Sequence, residues 1–164
     1  MILGVQSLAA QDFSIGLKGG VSNNDFSDLR SEMTYSIGLN TEYTPPKAMF
    51  SISADLQYFI EQKVFLAPFS LSLVFGKRIC PRVIVGILPV IRINPIEPNI
   101  PFGIGARAGI GLDYKISEKI AISSELGWHF IPYRQDYSSH FGSSDIDRVI
   151  GRLQNLAIGV KYYI

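Results

Sequence analysis

The sequence predicts an all-β fold, an eight-stranded antiparallel up-and-down transmembrane β-barrel, and three observations predict it. Apolar and polar residues alternate with a period of two through almost the whole chain, and successive side chains of a strand face opposite ways. The strand-like segments number eight and run about ten residues each, close to the ~9–11 that a tilted strand needs to cross a bilayer. Aromatic residues collect at both ends of these segments, where rings sit at a membrane–water interface.

In the first segment Phe13, Ile15, Leu17, Gly19 and Val21 alternate with Ser14, Gly16, Lys18 and Gly20. The same pattern repeats over 33–43, 50–58, 69–75, 104–114, 120–130 and 155–164. Residues 82–93 are apolar on both faces, which leaves their register open. No segment has a period of 3.6, and more than half of the chain reads as strand, against the ~20–25% of ordinary globular domains. The connections are Thr44-Pro-Pro-Lys47, Gly76 to Pro81 and Ser117-Glu118 as turns, 61–66 as a shorter link, and 22–32, Asn94 to Phe102 and 131–152 as loops. Short turns on the periplasmic side and longer loops outside, with both termini inside, fit a barrel of even strand number that leaves no open edge.

Composition agrees. The 164 residues allow one domain, assigned to 12–164. Hydrophobic residues make up 47% and charged residues 18%, against a usual charged share of about 25%, yet no run is long enough for a membrane helix. A net charge of +1 supplies no excess to neutralise phosphates, which argues against nucleic acid as a partner. One cysteine rules out an internal disulfide framework. Residues 1–11, with small residues at Ser7, Ala9 and Ala10, read as the remnant of a signal peptide or as a disordered N-terminus.

Two sets of residues follow from this topology. Phe13, Tyr43, Phe50, Phe75, Tyr114 and Tyr162 fall at the periplasmic ends of their strands on the apolar face, and Tyr35, Tyr58, Trp128 and Phe130 at the opposite ends, forming an expected aromatic girdle. The opposite face carries Lys18, Asn40, Glu42, Asp55, Gln57, Arg107, Asp113, Glu125, His129 and Lys161, an expected polar network inside the lumen. Charges there must pair, because unpaired buried charge is expensive. Periodicity alone leaves the inverse arrangement open, a soluble or periplasmic barrel with its apolar face inside around an apolar ligand.

Several segments resemble those of a known family. Phe13-Ser-Ile-Gly-Leu-Lys-Gly-Gly-Val21, Phe65-Leu-Ala-Pro-Phe-Ser-Leu-Ser-Leu73, Val85-Gly-Ile-Leu-Pro-Val90, Gly109-Ile-Gly-Leu-Asp-Tyr-Lys-Ile-Ser-Glu-Lys-Ile120 and Ala157-Ile-Gly-Val-Lys-Tyr-Tyr-Ile164 are similar to those of the PorT-type outer-membrane β-barrel family, within the small barrels of outer-membrane protein A and X type. Pro68 and Pro89 interrupt strands, as prolines often do in that family. At the C-terminus, Gly159, Tyr162 and Ile164 resemble the signal read by the barrel-assembly machinery, with Ile164 in place of the common terminal Phe and Ala157 where a polar residue is usual. The resemblance implies the outer membrane of a Gram-negative bacterium, outer-membrane lipid and the assembly machinery as partners, and an unidentified extracellular or envelope protein at the outer loops.

Motifs that carry chemistry are sparse. Gly103-Ile-Gly-Ala-Arg-Ala108 matches the dinucleotide pattern in form but lies inside an alternating strand, so no cofactor is expected. These glycines read instead as space in the lumen for Arg107 and other long side chains. Asp136, Ser138, Ser139 and His140 supply the residue types of a lipid-modifying hydrolase without a GxSxG elbow. Glu125 and His129 share one face but sit about 13 Å apart at ~3.3 Å per residue, too far for a dyad. Cys80, placed in a turn, and His129 and His140 lack metal-ligand spacing, and Asp145 with Asp147 are too few for a calcium loop. The expected function is a non-enzymatic structural, adhesive or secretion-accessory role through loops 131–152 and 22–32, with the apolar-ligand barrel and a lipid-modifying enzyme as alternatives.

Overall fold

The computed structural model describes residues 13–25, 33–45, 48–61, 64–92, 102–138 and 144–164, apart from the side chains of 24–25, 91–92, 102, 132–138 and 144–151. Its strands are β1 (Phe13–Asp25), β2 (Met33–Tyr43), β3 (Phe50–Phe59), β4 (Val64–Leu66), β5 (Phe69–Val74), β6 (Ile79–Arg92), β7 (Phe102–Lys115), β8 (Ile120–Ser138) and β9 (Ser144–Tyr163). All pairings are antiparallel. β4 and β5 each pair with both β3 and β6, so together they make one wall strand broken at Ala67-Pro68. β1 pairs with β2 on one side and with β9 on the other, from Ser14↔Tyr163 to Asp25↔Arg152, and this seam closes eight strands into a barrel.

Burial settles which face is which. Leu17 is 63% exposed, Ile37 59% and Ile158 62%, whereas Asp55, Arg107 and His129 are 6%, 3% and 0% exposed. The apolar face lies outside and the polar face inside, the reverse of a soluble barrel around an apolar ligand. Outward polar side chains satisfy themselves on the wall: Thr41 Oγ1 donates to the Ala54 carbonyl at 3.1 Å and Ser124 Oγ to that of Leu112 at 3.4 Å.

The prolines sit where a missing N–H does least harm. Pro68 occupies the break between β4 and β5, and its carbonyl accepts from the Asp55 amide at 2.9 Å. Pro89 remains within β6 opposite Ile104, its carbonyl accepting from the Ala67 amide at 2.9 Å. The start of β1 and the end of β9 lie at the end of the short turns, where the Ile164 amide donates to the Phe13 carbonyl at 3.0 Å. Two of these turns have clear local causes. Gly76 adopts φ +90°, a left-handed conformation that glycine alone enters without strain. Ser117 Oγ accepts from the amides of Lys119 and Ile120 at 3.3 and 3.1 Å.

One open question is resolved and several expectations are corrected. The register of 82–93 resolves with Arg82, Ile84, Leu88 and Val90 buried and Val83, Val85 and Ile87 exposed. β6 begins at Ile79, so Cys80 is a buried strand residue opposite Asp113 and not part of a turn. Residues 64–66 are strand, because the interruption falls at Pro68. Most of 131–152 is also strand: β8 and β9 stay paired from Ile131↔Gly151 to Ser138↔Ser144. Tyr133, Tyr137, Ile146, Val149 and Ile150 are strand-favouring types, and in water no alternation is needed to keep the ladder. β1 likewise runs on to Asp25 and β7 starts at Phe102. Residues 1–12, and 26–32, 93–101 and 139–143 of the loops, lie outside the described residues.

A β-carbon at Gly76 would press on the Ile79 carbonyl and would hold L-residue backbone in the left-handed region. Gly76→Ala should therefore lower stability by about 1–2 kcal/mol in urea unfolding of the refolded barrel, while Lys77→Ala on the same turn should change it by less than about 0.5 kcal/mol.

Candidate functional site: paired charges inside a sealed lumen

Inward positions of the strands bring eight charged side chains together in two groups. In the first, Lys18 Nζ lies 2.6 Å from Asp55 Oδ2 and 3.8 Å from Glu125 Oε2. Arg107 Nη1 lies 2.6 Å from the same Asp55 oxygen, and its Nη2 pairs with Glu125 Oε1. Asn40 Nδ2 donates to the other Asp55 oxygen, and Ser70 Oγ accepts from Arg107 Nη1 at 3.2 Å. In the second group Arg82 Nη1 lies 3.0 Å from Glu42 Oε2 and Arg82 Nε 3.4 Å from Asp113 Oδ2. Lys161 Nζ pairs with Glu42 Oε2 and sits 2.9 Å from Asp113 Oδ2. Each group holds two cations and two carboxylates, so each is neutral as a unit. Such balance is what burial demands, since breaking a buried pair leaves an uncompensated charge.

Room for these long side chains comes from small residues on the neighbouring strands. Lys18 stands between Gly38 and Gly159, Arg107 opposite Gly86, and Arg82 opposite Gly111. A β-carbon at Gly159 would come within 2.9 Å of the Lys18 Cβ, and one at Gly111 within 3.4 Å of the Arg82 guanidinium. A cavity of ≈ 20 Å³ lies between the groups, lined in part by Lys18, Asn40, Arg82 and Glu125. It offers room for about one water.

The lumen changes character towards the other end. Ser22 Oγ donates to Asn155 Oδ1 at 3.0 Å, and Asn155 Nδ2 donates to Gln57 Oε1 at 3.3 Å. His129 is fully buried, and neither ring nitrogen has a hydrogen-bond partner among the described residues. Beyond it Phe59, Leu66, Leu88, Val90, Ile131 and Leu153 pack together as an apolar plug, with Val64 against them. Strand parity places the plug inside the barrel: Phe59 shares the inward face with Asp55 and Gln57, Leu66 opposes Gln57, and Leu153 opposes His129. Thr34 Oγ1 and the Tyr35 amide both donate to Glu61 Oε2, the latter at 2.9 Å, fastening the turn after β3 to β2.

All ten residues expected in the lumen are therefore on its inner face. Nine enter hydrogen bonds or ion pairs, Asn40 within the first charge group and Gln57 with Asn155; His129 is the one that stands apart. Arg82 was missed, because the uniformly apolar run around it hid its face; pairing it opposite Gly111 would have been the signal. Ser22, Ser70 and Asn155 were also missed, since uncharged polar residues stand out little in an alternating pattern.

The expected girdle residues lie on the outer face. Phe13, Tyr43, Phe50, Phe75, Tyr114 and Tyr162 are exposed at the end of the short turns. Phe13 opposes Tyr43, while Tyr162 lies between Ile15 and Ile120. At the other end Tyr35 and Phe130 are exposed, and Tyr58 and Trp128 are half-buried. Phe65 belongs with them although the sequence did not single it out: its ring centroid is 4.7 Å from that of Tyr58. Gly159 and Tyr162 lie near the end of β9, Gly159 facing Lys18 and Tyr162 facing outward, and Ile164 follows just past it. The Gly103–Ala108 motif lies within β7, paired with β6 and β8. Asp136 and Ser138 are positions of β8 whose side chains, like Ser139 and His140, lie outside the described residues.

Comparison with solved structures places this barrel among small outer-membrane barrels. It is similar to Neisserial surface protein A, with a TM-score of 0.69 and 13% identity over 93% of this chain and 97% of that one. The N-terminal barrel domain of Pseudomonas aeruginosa OprF gives 0.57 and 14% over 90% and 96%. The Escherichia coli outer membrane protein W gives 0.55 and 14% over 93% and 97%. At these identities the likeness is one of fold. No protein-family model matches the chain, and no curated protein sequence matches it.

Removing one partner of the first charge group should be costly. Arg107→Ala, which strands Asp55 and Glu125, should lower unfolding free energy by about 3–5 kcal/mol. Glu125→Gln combined with Arg107→Met should cost less than the two single changes added together, because each removes the other's unpaired charge. Equilibrium unfolding of the four proteins in one detergent or lipid closes that cycle.

Proposed function

We propose that this chain is a PorT-type outer-membrane barrel of a Gram-negative bacterium that catalyses no reaction and serves a structural, adhesive or secretion-accessory role through its outer end. The observation that carries this reading is the inverted, sealed barrel. The wall exposes an apolar band rimmed by aromatics at both ends, as a bilayer requires. The lumen is filled by two neutral charge groups and an apolar plug, so the interior offers no general pore. The apolar-ligand alternative needs the apolar face inside, and burial runs the other way.

The outer end supports a binding or accessory role. β8 and β9 stay paired for eight residue pairs past the last β7–β8 pair, Ala106↔Phe130. At ~3.3 Å per residue this hairpin reaches roughly 25 Å beyond that point. It is a platform for an extracellular or envelope protein. Outer-membrane lipid would cover the wall, and the barrel-assembly machinery would read Gly159, Tyr162 and Ile164.

Gel migration of detergent-refolded protein, boiled against unboiled, tests the membrane reading. A heat-dependent shift is expected; protein that stays folded and soluble without detergent and shows no shift would overturn it. Ile158, near the middle of the part of β9 that pairs with β1 and on the exposed face, gives a second test. Ile158→Arg should cost about 2–4 kcal/mol in bilayer unfolding measurements, where a water-exposed site would tolerate the change.

A further inference from the structure

Two neighbouring turns at the end of the barrel where β1 starts carry an uneven charge. Lys77 and Arg78 lie in the turn between β5 and β6, and Lys119 in the turn between β7 and β8, just past Lys115 at the end of β7. Glu118 is the one carboxylate on these turns, so four cations face a single anion. The turns are physically joined: the Lys115 amide donates to the Arg78 carbonyl at 2.9 Å. Gly76 sets the course of the first turn and Ser117 that of the second. Lys77, Arg78 and Lys119 are exposed, and Lys115 is half-buried with Nζ 5.1 Å from the Tyr163 ring centroid.

Arg78 is held where this charge meets the apolar wall. Its guanidinium carbon lies 5.6 Å from the Tyr114 ring centroid, and Nη2 donates to the Tyr114 hydroxyl at 3.2 Å. Tyr114 belongs to the exposed outer face, next to Ile79 and Ile122. The ring and hydroxyl together orient the guanidinium at the level of the aromatic rim and occupy only part of its five-donor fork. A phosphate diester at that depth meets an oriented guanidinium, with the exposed Lys77 on the same turn and Lys119 on the neighbouring one.

We infer that this rim is a binding site for the phosphate headgroup of an anionic phospholipid in the leaflet at the turn end of the barrel. A lipid, and not a free anion, is the occupant because the site is continuous with the acyl-facing wall: the residue that orients Arg78 is itself a wall residue. The inference rests on the membrane reading above. Each cation near a membrane surface adds roughly a fivefold preference for anionic lipid, so the cluster gains its selectivity from number as well as from the oriented arginine.

The full chain, refolded in detergent micelles, is offered equal amounts of phosphatidylglycerol and phosphatidylcholine, and retained lipid is counted by native mass spectrometry. The wild type should retain phosphatidylglycerol about tenfold better. Lys77→Ala/Arg78→Ala/Lys119→Ala should lose that preference while keeping its heat-dependent gel shift. Tyr114→Phe, which keeps the ring and drops the hydroxyl, should weaken the preference without abolishing it. Equal retention of both lipids by the wild type, or an unchanged preference in the triple variant, overturns the inference and leaves the membrane reading standing. Preference removed by millimolar inorganic phosphate makes this a free-anion site and overturns the lipid assignment. If the triple variant does not refold, Lys77→Gln/Lys119→Gln, confined to the turns, decides on the same criteria. A wild-type chain with no heat-dependent shift in either lipid fails at the earlier step, the membrane reading itself.

Discussion

The structure depends on one constraint, that no strand edge be left open. In hydrocarbon an unsatisfied amide or carbonyl costs several kcal/mol, so a sheet can cross only by closing on itself. The seam from Ser14↔Tyr163 to Asp25↔Arg152 meets that demand. Closure with eight strands then sets the width of the lumen, which is just enough for side chains to fill. From that width follows the rest of the interior: whatever faces inward must fit beside its neighbours across the barrel, and whatever is charged must find its counter-charge there.

Lys18, Arg82 and Arg107 each reach across a lumen that glycine opens for them on an adjoining strand. Pairing of this kind is weak evidence for stability, because the cost of desolvating the ions offsets most of their attraction. Its stronger consequence is for register. Moving any wall strand by one residue exchanges its faces, and here the exchange would set Arg107 or Asp55 against lipid and Ile110 or Leu56 against charge. The two neutral groups therefore define one alignment of the strands among the many that the apolar face alone would accept. The glycines take part in that choice, since a slipped strand would lose the space opposite each long side chain as well as the counter-ion.

Alternation made the strands, their number and the inward charges legible, because a period of two marks face directly wherever the faces differ. It gave no purchase where they do not differ. Around Arg82 both faces of β6 are apolar, one turned to lipid and the other to the plug, and so Ile84, Leu88 and Val90 looked like their outward neighbours Val83, Val85 and Ile87. Past Phe130 the pattern failed for the opposite reason. There the β8–β9 ladder runs on without an alternating sequence, and polarity reads as loop although the backbone stays paired to Ser138. Cys80 was misplaced by a proline: Pro81 reads as a turn signal, but at the outward-facing start of β6 it opposes Leu112 without ending the strand. The plug had no signal of its own, for nothing in a sequence says that an inward leucine will meet five others from distant strands.

The contents of the lumen also direct where function can lie. Going along the axis from the turn end, paired ions give way to Gln57, Asn155 and His129, and these to the plug of Phe59, Leu66, Leu88, Val90, Ile131 and Leu153. An ion entering beside Glu42 and Lys161 would have to break two neutral groups and would then meet the packed apolar side chains of the plug. Transport through such a core requires losing the interactions that hold the wall in register, which favours the proposed role of an anchor with recognition at its two ends. Those ends are built differently. One is a set of tight turns fixed by Gly76 and Ser117, with Arg78 held against Tyr114; the other is the two-stranded β8–β9 hairpin that continues past the last β7–β8 pair, the platform proposed above for a partner.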